Sequence, residues 1–110
     1  MDDLYVDVIL PLHIPSTYTY RVPGEYVPHI QVGQRVVVQF GQRRLYSALV
    51  RAIHTNKPSV NEIKYINAII DTQPIVNEKQ FELWEWIARY YMCYVGDVMA
   101  AALPSAFRMA

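Results

Sequence analysis

Cysteine is nearly absent from this sequence. Cys93 is the only one among 110 residues, so no disulfide can form within the chain, and a reducing, cytoplasmic setting is expected. A lone cysteine has few companions for a zinc site, because His13, His29 and His54 show no metal-ligand spacing with it. We therefore expect this chain to hold no metal and no cofactor.

An excess of charge of either sign is also missing. Ten basic residues balance ten acidic ones, which gives a formal net charge of zero. Surfaces that hold long duplex DNA through many phosphates are strongly basic, so binding of that kind is not expected. A pocket that recognises the end of one strand makes few phosphate contacts and is compatible with this charge balance.

Catalytic and membrane-spanning patterns are missing as well. The sequence has no GxxxxGK[ST] phosphate loop and no GxGxxG motif, and none of its serines lies in a nucleophile-elbow context. Its carboxylates are scattered, and its acidic start with an early Pro11 is unlike a signal peptide. No apolar run approaches the ~20 residues that a membrane helix needs. We expect no ATPase or other enzyme activity and no membrane contact from this chain.

Apolar and aromatic residues are abundant instead. Hydrophobic residues make up 53% of the chain, and nine residues are tyrosines. This composition and length predict one domain over residues 1–110 with its own core. The final residues, SAFRMA, are unlike a natural terminus, so we expect a fragment of a larger protein.

Short strands punctuated by proline and glycine are predicted in the first two-thirds of the chain. Strands are expected at residues 4–10, 17–22, 35–40, 46–54 and 63–70. Residues 56–61, with the sequence NKPSVN, and residues 71–74 are predicted loops. Regular short strands are typical of a small barrel-like or strongly twisted antiparallel sheet. With the helices that follow, the expected class is α+β, mainly β.

The last third is predicted to be helical. Asn77 is a good N-cap, and Gln80 is placed to complete a capping box for a helix over residues 78–91. Gly96 is predicted to end this helix, and Asp97 to cap a short second helix closed by Pro104. The first helix carries an apolar stripe, which further residues widen, and it is expected to pack on the sheet and on another domain. The stripe is formed by Phe81, Trp84, Ala88 and Tyr91, and it is widened by Leu83, Trp86 and Tyr90.

Two short segments could carry binding. In FGQRR, residues 40–44, the glycine allows a ligand to approach the backbone, and the arginines could meet phosphates; the alternative is a hairpin turn with solvated charges. In STYTY, residues 16–20, an exposed tyrosine could stack on a base. The alternative there is a strand whose tyrosines alternate between core and surface.

The order of several segments resembles a known family. These are VDVILPLHIPSTYTYRVP, VGQRVVVQFGQR, VNEIKYINAIID, and the tyrosine pair, GDV and ALP of residues 90–104. Each segment is weak alone, but together they cover almost the whole chain. In this order they resemble the N-terminal 3′ DNA-end-binding domain of the PriA family, the replication-restart helicases also called primosomal protein N′.

The resemblance implies an end-binding pocket at four positions. Tyr18 matches an aromatic residue that stacks on the terminal base, and Gly41 matches the glycine of a turn whose backbone closes over the terminal nucleotide. Lys64 matches a lysine that reaches the terminal sugar or phosphate. Thr19 lies where many members have an Asp that contacts the base edge; threonine carries no charge but can donate and accept a hydrogen bond, which leaves the base preference open.

Arg43 and Arg44 are candidate phosphate contacts. They are chosen for their charge and their proximity to Gly41, not from the family pattern.

The resemblance also implies a function. The chain would be the DNA-binding module of an ATP-dependent 3′-to-5′ DNA helicase that acts in replication restart and recognises the free 3′ end of the nascent leading strand at stalled forks. The full-length protein would use ATP, magnesium and structural zinc. Its partners would be DNA, the remaining helicase domains, other primosome proteins and single-stranded DNA-binding protein. The alternative is a protein-interaction or scaffold domain that uses the apolar helix 78–91.

Overall fold

The computed structural model describes residues 3–59 and 62–107. Its centre is a five-stranded sheet with the order β2-β1-β4-β3-β5, in which all neighbouring strands are antiparallel. The strands are β1 (Tyr5–Ile9), β2 (Tyr18–Arg21), β3 (Arg35–Gln39), β4 (Leu45–His54) and β5 (Ala68–Ile69). A short 3₁₀ helix, Gly24–Tyr26, follows β2, and the helices α1 (Glu78–Tyr90) and α2 (Val95–Ala102) complete the fold. The predicted α+β class, mainly β, is confirmed.

The segment before β5 links the two edges of the sheet. The N–H of Arg21 in β2 donates to the carbonyl of Lys64 at 2.9 Å, and the N–H of Ile66 donates back to the Arg21 carbonyl at 3.0 Å. One residue later, the N–H of Asn67 donates to Val37 in β3 at 2.7 Å. The sheet is therefore strongly curled and barrel-like, although its strand ladders do not close.

This crossing corrects one predicted strand. Residues 63–70 were expected to form a single strand, but only Ala68–Ile69 pairs with β3 as one. The residues before it leave β3 and run to the far edge of the sheet, where Tyr65 forms an isolated bridge with Arg21. The other four predicted strands match the observed ones within two residues at each end.

Two apolar cores lie on opposite faces of the sheet. The concave face encloses the larger one, built mainly from alternating residues of β1, β3 and β4 such as Val6, Val36 and Val50. The convex face packs against both helices through Ile9, Leu49, Phe81, Trp84 and Met99. The sheet therefore leaves one end of its concave side free to form a site.

The start of α1 is held by its sequence and by the sheet. Asn77 Oδ1 accepts from the Gln80 N–H, and Gln80 Oε1 accepts from the Asn77 N–H, both at 2.9 Å. The predicted capping box is therefore confirmed. Arg51 of β4 donates to Glu78 and to Glu85 at 2.9 Å each. These bonds fix the face that α1 turns towards the sheet.

The sheet buries only part of the predicted apolar stripe of α1. Phe81, Trp84 and Ala88 are buried, but Tyr91 is 69% exposed. The residues expected to widen the apolar stripe lie on the outer side of α1, where they are about half exposed or more: Leu83, Trp86 and Tyr90. The sheet contacts only a narrow stripe of the helix, so the wider apolar surface is uncovered in this structure.

The end of α1 agrees with the predicted range, 78–91, within one residue, but Gly96 does not end the helix. The Cys93 N–H donates to the Ala88 carbonyl at 2.9 Å, and Met92 between them has a φ of 57°. This is the left-handed turn that commonly ends helices, usually at a glycine. Methionine occupies the position where glycine is usual, so the turn itself was not predicted.

Gly96 and Asp97 lie inside α2. The Asp97 carboxylate accepts from the N–H of Tyr94 at 3.1 Å, so Tyr94 is the capping position and Asp97 lies in the first turn. A Cβ on Gly96 would collide with the carbonyl oxygens of Leu10 and Leu12. The glycine is therefore needed for the close packing of α2 against the chain that follows β1. Neither helix in the described ranges is long and apolar enough to cross a membrane.

Candidate nucleic-acid interface

A cleft opens at one end of the concave face, between β2, the end of β3 and the chain that leads to Lys64. Its volume of about 480 Å³ lies within the ~300–1,000 Å³ typical of small-ligand sites. Tyr18, Thr19, Gly41 and Lys64 all line it. The structure thus brings together four residues that are up to 46 positions apart in the sequence. The other lining residues are Thr17, Tyr20, Gln39, Phe40, Pro58 and Glu62.

Tyr18 supplies an aromatic wall of the cleft. The residue is 36% exposed, and its ring meets that of Phe40 edge-on, with 4.8 Å between the ring centroids. The ring of Phe40 in turn packs edge-on against the ring of Tyr46, with 6.3 Å between the centroids. The Tyr18 ring is therefore supported by other rings while part of its surface is open to a ligand.

Tyr20 fixes this wall to the end of β3. Its side chain points to the same side of β2 as Tyr18, since strand residues alternate, and its ring is buried. The hydroxyl donates to the Gln39 carbonyl at 2.8 Å, and burial raises the pKa of Tyr20 to about 12. The hydroxyl thus stays neutral and keeps the two sides of the cleft at a fixed separation.

Thr19 presents its backbone to the cleft. Its side chain points to the other face of β2, where the hydroxyl donates to Asp7 Oδ1 at 2.6 Å. Val22 donates its N–H to Leu4 beside β1, whereas Arg21 donates to Lys64 on the opposite edge. By this alternation the N–H and C=O of Thr19 point away from β1. In the described ranges no residue bonds to them across the cleft.

Gly41 begins the turn that closes the cleft on the β3 side. Its φ of 72° lies in the left-handed region, and no heavy atom lies within 4 Å of a Cβ built on it. Glycine is therefore needed here for its backbone conformation rather than for lack of space. The open space allows a ligand to approach the backbone.

Arg43 and Arg44 lie beyond the cleft, on the exposed part of the same turn. Arg43 has a φ of 61°, and the turn is closed by the Phe40 N–H, which donates to the Arg44 carbonyl at 2.9 Å. The Arg44 guanidinium lies 5.7 Å from the centroid of the Tyr46 ring. Neither arginine lines the cleft, so any contact they make would be with a neighbouring part of a ligand.

Lys64 and Glu62 supply opposite charges to the third side. The Lys64 backbone is fixed by its bond to Arg21, while its side chain is exposed. Glu62 is exposed as well and lines the same cleft. No group of three or more His, Cys, Asp and Glu residues in the described part of the chain could hold a metal ion.

Sequence reasoning missed several residues around this cleft. Phe40 lies in the candidate segment FGQRR, but no role was predicted for its ring. Asp7 and His54 could not be found from the sequence, since the bond from Thr19 to Asp7 depends on the pairing of β1 with β2, and the bond from His54 to Asp7 on the pairing of β1 with β4. Glu62 lies in a segment whose course across the sheet was not predicted.

Known proteins resemble the chain over nearly all of this fold. A model of the family described as the 3′DNA-binding domain (3′BD) matches residues 7–104. The replication restart protein PriA of Treponema pallidum is 24% identical over 105 residues, which cover 92% of the chain and 16% of that relative. PriA of Buchnera aphidicola from Acyrthosiphon pisum is 29% identical over 101 residues, 92% of the chain and 14% of the relative. PriA of Haemophilus influenzae is 28% identical over 103 residues, 94% of the chain and 14% of the relative.

The chain therefore spans about one-sixth or less of the length of these relatives. The match to the family model includes all four of the cleft residues expected from the sequence, Tyr18, Thr19, Gly41 and Lys64.

Proposed function

The chain belongs to the 3′DNA-binding domain (3′BD) family, and we propose that it recognises the free 3′ end of a DNA strand in the cleft between β2 and Lys64. DNA binding within a replication restart protein follows from the family. The finer proposal rests on one observation: Tyr18, Thr19, Gly41 and Lys64 line a single cleft large enough for one nucleotide.

Stacking would supply most of the affinity. The partly exposed ring of Tyr18 is held by Phe40, so little freedom is lost when a base packs on it. Stacking of a base on an aromatic side chain contributes ~1–3 kcal/mol and tolerates any base. The backbone of Thr19 adds one donor and one acceptor to the same cleft, so it can meet either kind of group on a base edge.

Charge would select a terminal nucleotide. Lys64 can reach a sugar hydroxyl or the phosphate on the 5′ side, whereas Glu62 on the same side of the cleft repels a further phosphate. A strand that continues beyond the cleft, or ends in a 3′-phosphate, would bring such a phosphate. Because few phosphates are held, the affinity should depend only weakly on salt, far less than for a protein that neutralises six phosphates.

Fluorescence anisotropy with short single strands tests this proposal. One strand carries a free 3′-hydroxyl and its twin a 3′-phosphate, and the free hydroxyl should bind more tightly. Tyr18→Ala should weaken binding of the hydroxyl strand by ~1–3 kcal/mol. Tyr90→Ala is the matched control, since Tyr90 is 66% exposed on α1 and does not line the cleft. Equal binding of both strands, or equal effects of both substitutions, would contradict the proposal.

The longer relatives extend the proposal to a whole protein. In it this domain would serve an ATP-dependent 3′-to-5′ DNA helicase in the cytoplasm that acts at stalled forks. ATP, magnesium and structural zinc would belong to the remaining domains. Further partners would be other primosome proteins and single-stranded DNA-binding protein.

A protein-docking role is the second candidate. It is favoured by the exposed apolar surface at the end of α1. This surface comprises three aromatic residues and a methionine, Trp86, Tyr90, Tyr91 and Met92, with exposures of 52%, 66%, 69% and 93%. Trp86 and Tyr90 are stacked with 5.3 Å between their ring centroids. The anisotropy design separates the two roles, because docking alone predicts no difference between Tyr18→Ala and wild type.

A further inference from the structure

A series of hydrogen bonds connects the two sides of the cleft from behind. The Thr19 hydroxyl donates to Asp7 Oδ1 at 2.6 Å, and His54 Nε2 lies 3.0 Å from the same oxygen. The Asn56 N–H donates to His54 Nδ1 at 3.1 Å. A backbone N–H can only donate, so Nδ1 accepts, and the proton of a neutral ring is on Nε2, where it donates to Asp7.

These bonds span three separate parts of the chain. Thr19 belongs to β2, which forms one wall of the cleft, and Asp7 lies opposite it in β1. His54 ends β4, and Asn56 begins the chain that supplies Pro58, Glu62 and Lys64 to the opposite side. The His54 ring also stacks on Tyr5, with 6.0 Å between centroids and 24° between planes. Asn56, where the chain leaves β4, is therefore connected by hydrogen bonds to the face of β2 that points away from the cleft.

We infer that Asp7 and His54 are positioning residues for the cleft, and that Thr19 acts on the DNA end through them and through its backbone rather than through its hydroxyl. This inference rests on the proposed function. Removing the series of bonds would leave Tyr18 and Lys64 in place but free the segment that carries Pro58 and Glu62. The selection against a 3′-phosphate should then weaken together with the affinity.

The choice of residue at position 19 follows from Asp7. A carboxylate at position 19 would face the Asp7 carboxylate at hydrogen-bonding distance, and two like charges that close repel each other. Thr19→Asp should therefore disrupt the series of bonds in this chain. Combining it with Asp7→Asn should restore a bond, because the Asn amide can donate to the new carboxylate.

His54→Phe is the main test, because phenylalanine keeps the ring that stacks on Tyr5 but can neither donate to Asp7 nor accept from Asn56. His29→Phe is the matched control, since His29 is exposed and lies outside the cleft. Amide hydrogen exchange on the free domain should show Asn56 exchanging about 2- to 10-fold faster in His54→Phe, the loss of one net hydrogen bond, and unchanged in His29→Phe. Two-dimensional amide spectra confirm that each variant is folded.

The strand pair from the anisotropy assay supplies the second measurement. His54→Phe should lower the affinity for the 3′-hydroxyl strand and reduce its advantage over the 3′-phosphate strand. Asp7→Asn should keep the affinity and the selectivity, because Oδ1 of residue 7 accepts from both Thr19 and His54 and asparagine retains this oxygen. Faster Asn56 exchange with wild-type affinity and selectivity would overturn the positioning role while leaving end recognition intact. Failure of end recognition itself would appear in the wild-type domain, as equal binding of the two strands, and would overturn both.

Discussion

Gly96→Ala should destabilise the domain, although alanine is the better helix former. Inside a helix, alanine is favoured over glycine by about 1 kcal/mol. Here the added Cβ would meet the carbonyl oxygens of Leu10 and Leu12, which belong to the backbone and cannot rotate away. Relief requires α2 to move outwards, which loosens fully buried Met99 in the core below it. Overpacking of this kind costs ~1–3 kcal/mol, so a net loss of stability is expected.

Urea denaturation measures this effect, with Gly24→Ala as the control. A domain of this size loses ~1–3 kcal/mol of stability per molar urea, so the Gly96→Ala midpoint should fall by about 1 M. No heavy atom lies within 4 Å of a Cβ built on Gly24. That change should be neutral or gain up to about 1 kcal/mol, through the lower entropy of the unfolded chain. A Gly96→Ala midpoint equal to or above that of Gly24→Ala would refute the close packing of α2.

Three further changes test the fold. Trp84→Ala should lower the free energy of unfolding by ~3–5 kcal/mol, because Trp84 is only 6% exposed. Trp86 lies on the same helix but is 52% exposed, so Trp86→Ala should lower it by about 0.5 kcal/mol or less. Equal losses in urea denaturation would contradict the assignment of Trp84 to the buried face of α1. Met92→Gly should raise the melting temperature, because it relieves a left-handed conformation that costs methionine roughly 1–2 kcal/mol, and a lower melting temperature would argue against that turn. Hydrogen bonds from Arg35 lower the pKa of Asp71, so the stability from this pair is complete above the ordinary Asp pKa of about 3.9 and is lost as the pH falls further. Asp71→Asn should make the stability depend less on pH below about 3.9, as measured by urea denaturation at a series of pH values. An unchanged pH dependence would show that the pair does not contribute to stability.

The strands could be predicted because their signals are local. Runs of β-branched residues between proline and glycine gave four strands within two residues of their ends. Residues 63–70 failed because half of that apolar run satisfies its backbone on β2 and the other half on β3. Nothing local in the sequence distinguishes one strand from a segment that crosses between two.

The helices show the same limit in another form. The capping box at Asn77 is a four-residue pattern and was found correctly. The predicted range of α1, 78–91, ends within one residue of the observed helix, although methionine rather than glycine adopts the left-handed turn that follows it. Gly96 does not end a helix; tertiary packing requires the glycine, because the backbone that excludes a Cβ comes from Leu10 and Leu12, more than 80 positions earlier.

The cleft lies where the outer edge of β2 is only partly covered by the segment before β5. An exposed strand edge offers unpaired N–H and C=O groups, which proteins usually cover. The outer edge of β2 is covered at Arg21 by Lys64 and Ile66, but the same alternation leaves Thr19, two residues earlier, facing the cleft. Among the residues that the structure describes, none bonds to the N–H and C=O of Thr19 across the cleft, so one donor and one acceptor lie beside the ring of Tyr18. We therefore propose that this edge binds a single flat group with polar atoms along its rim, such as a nucleobase.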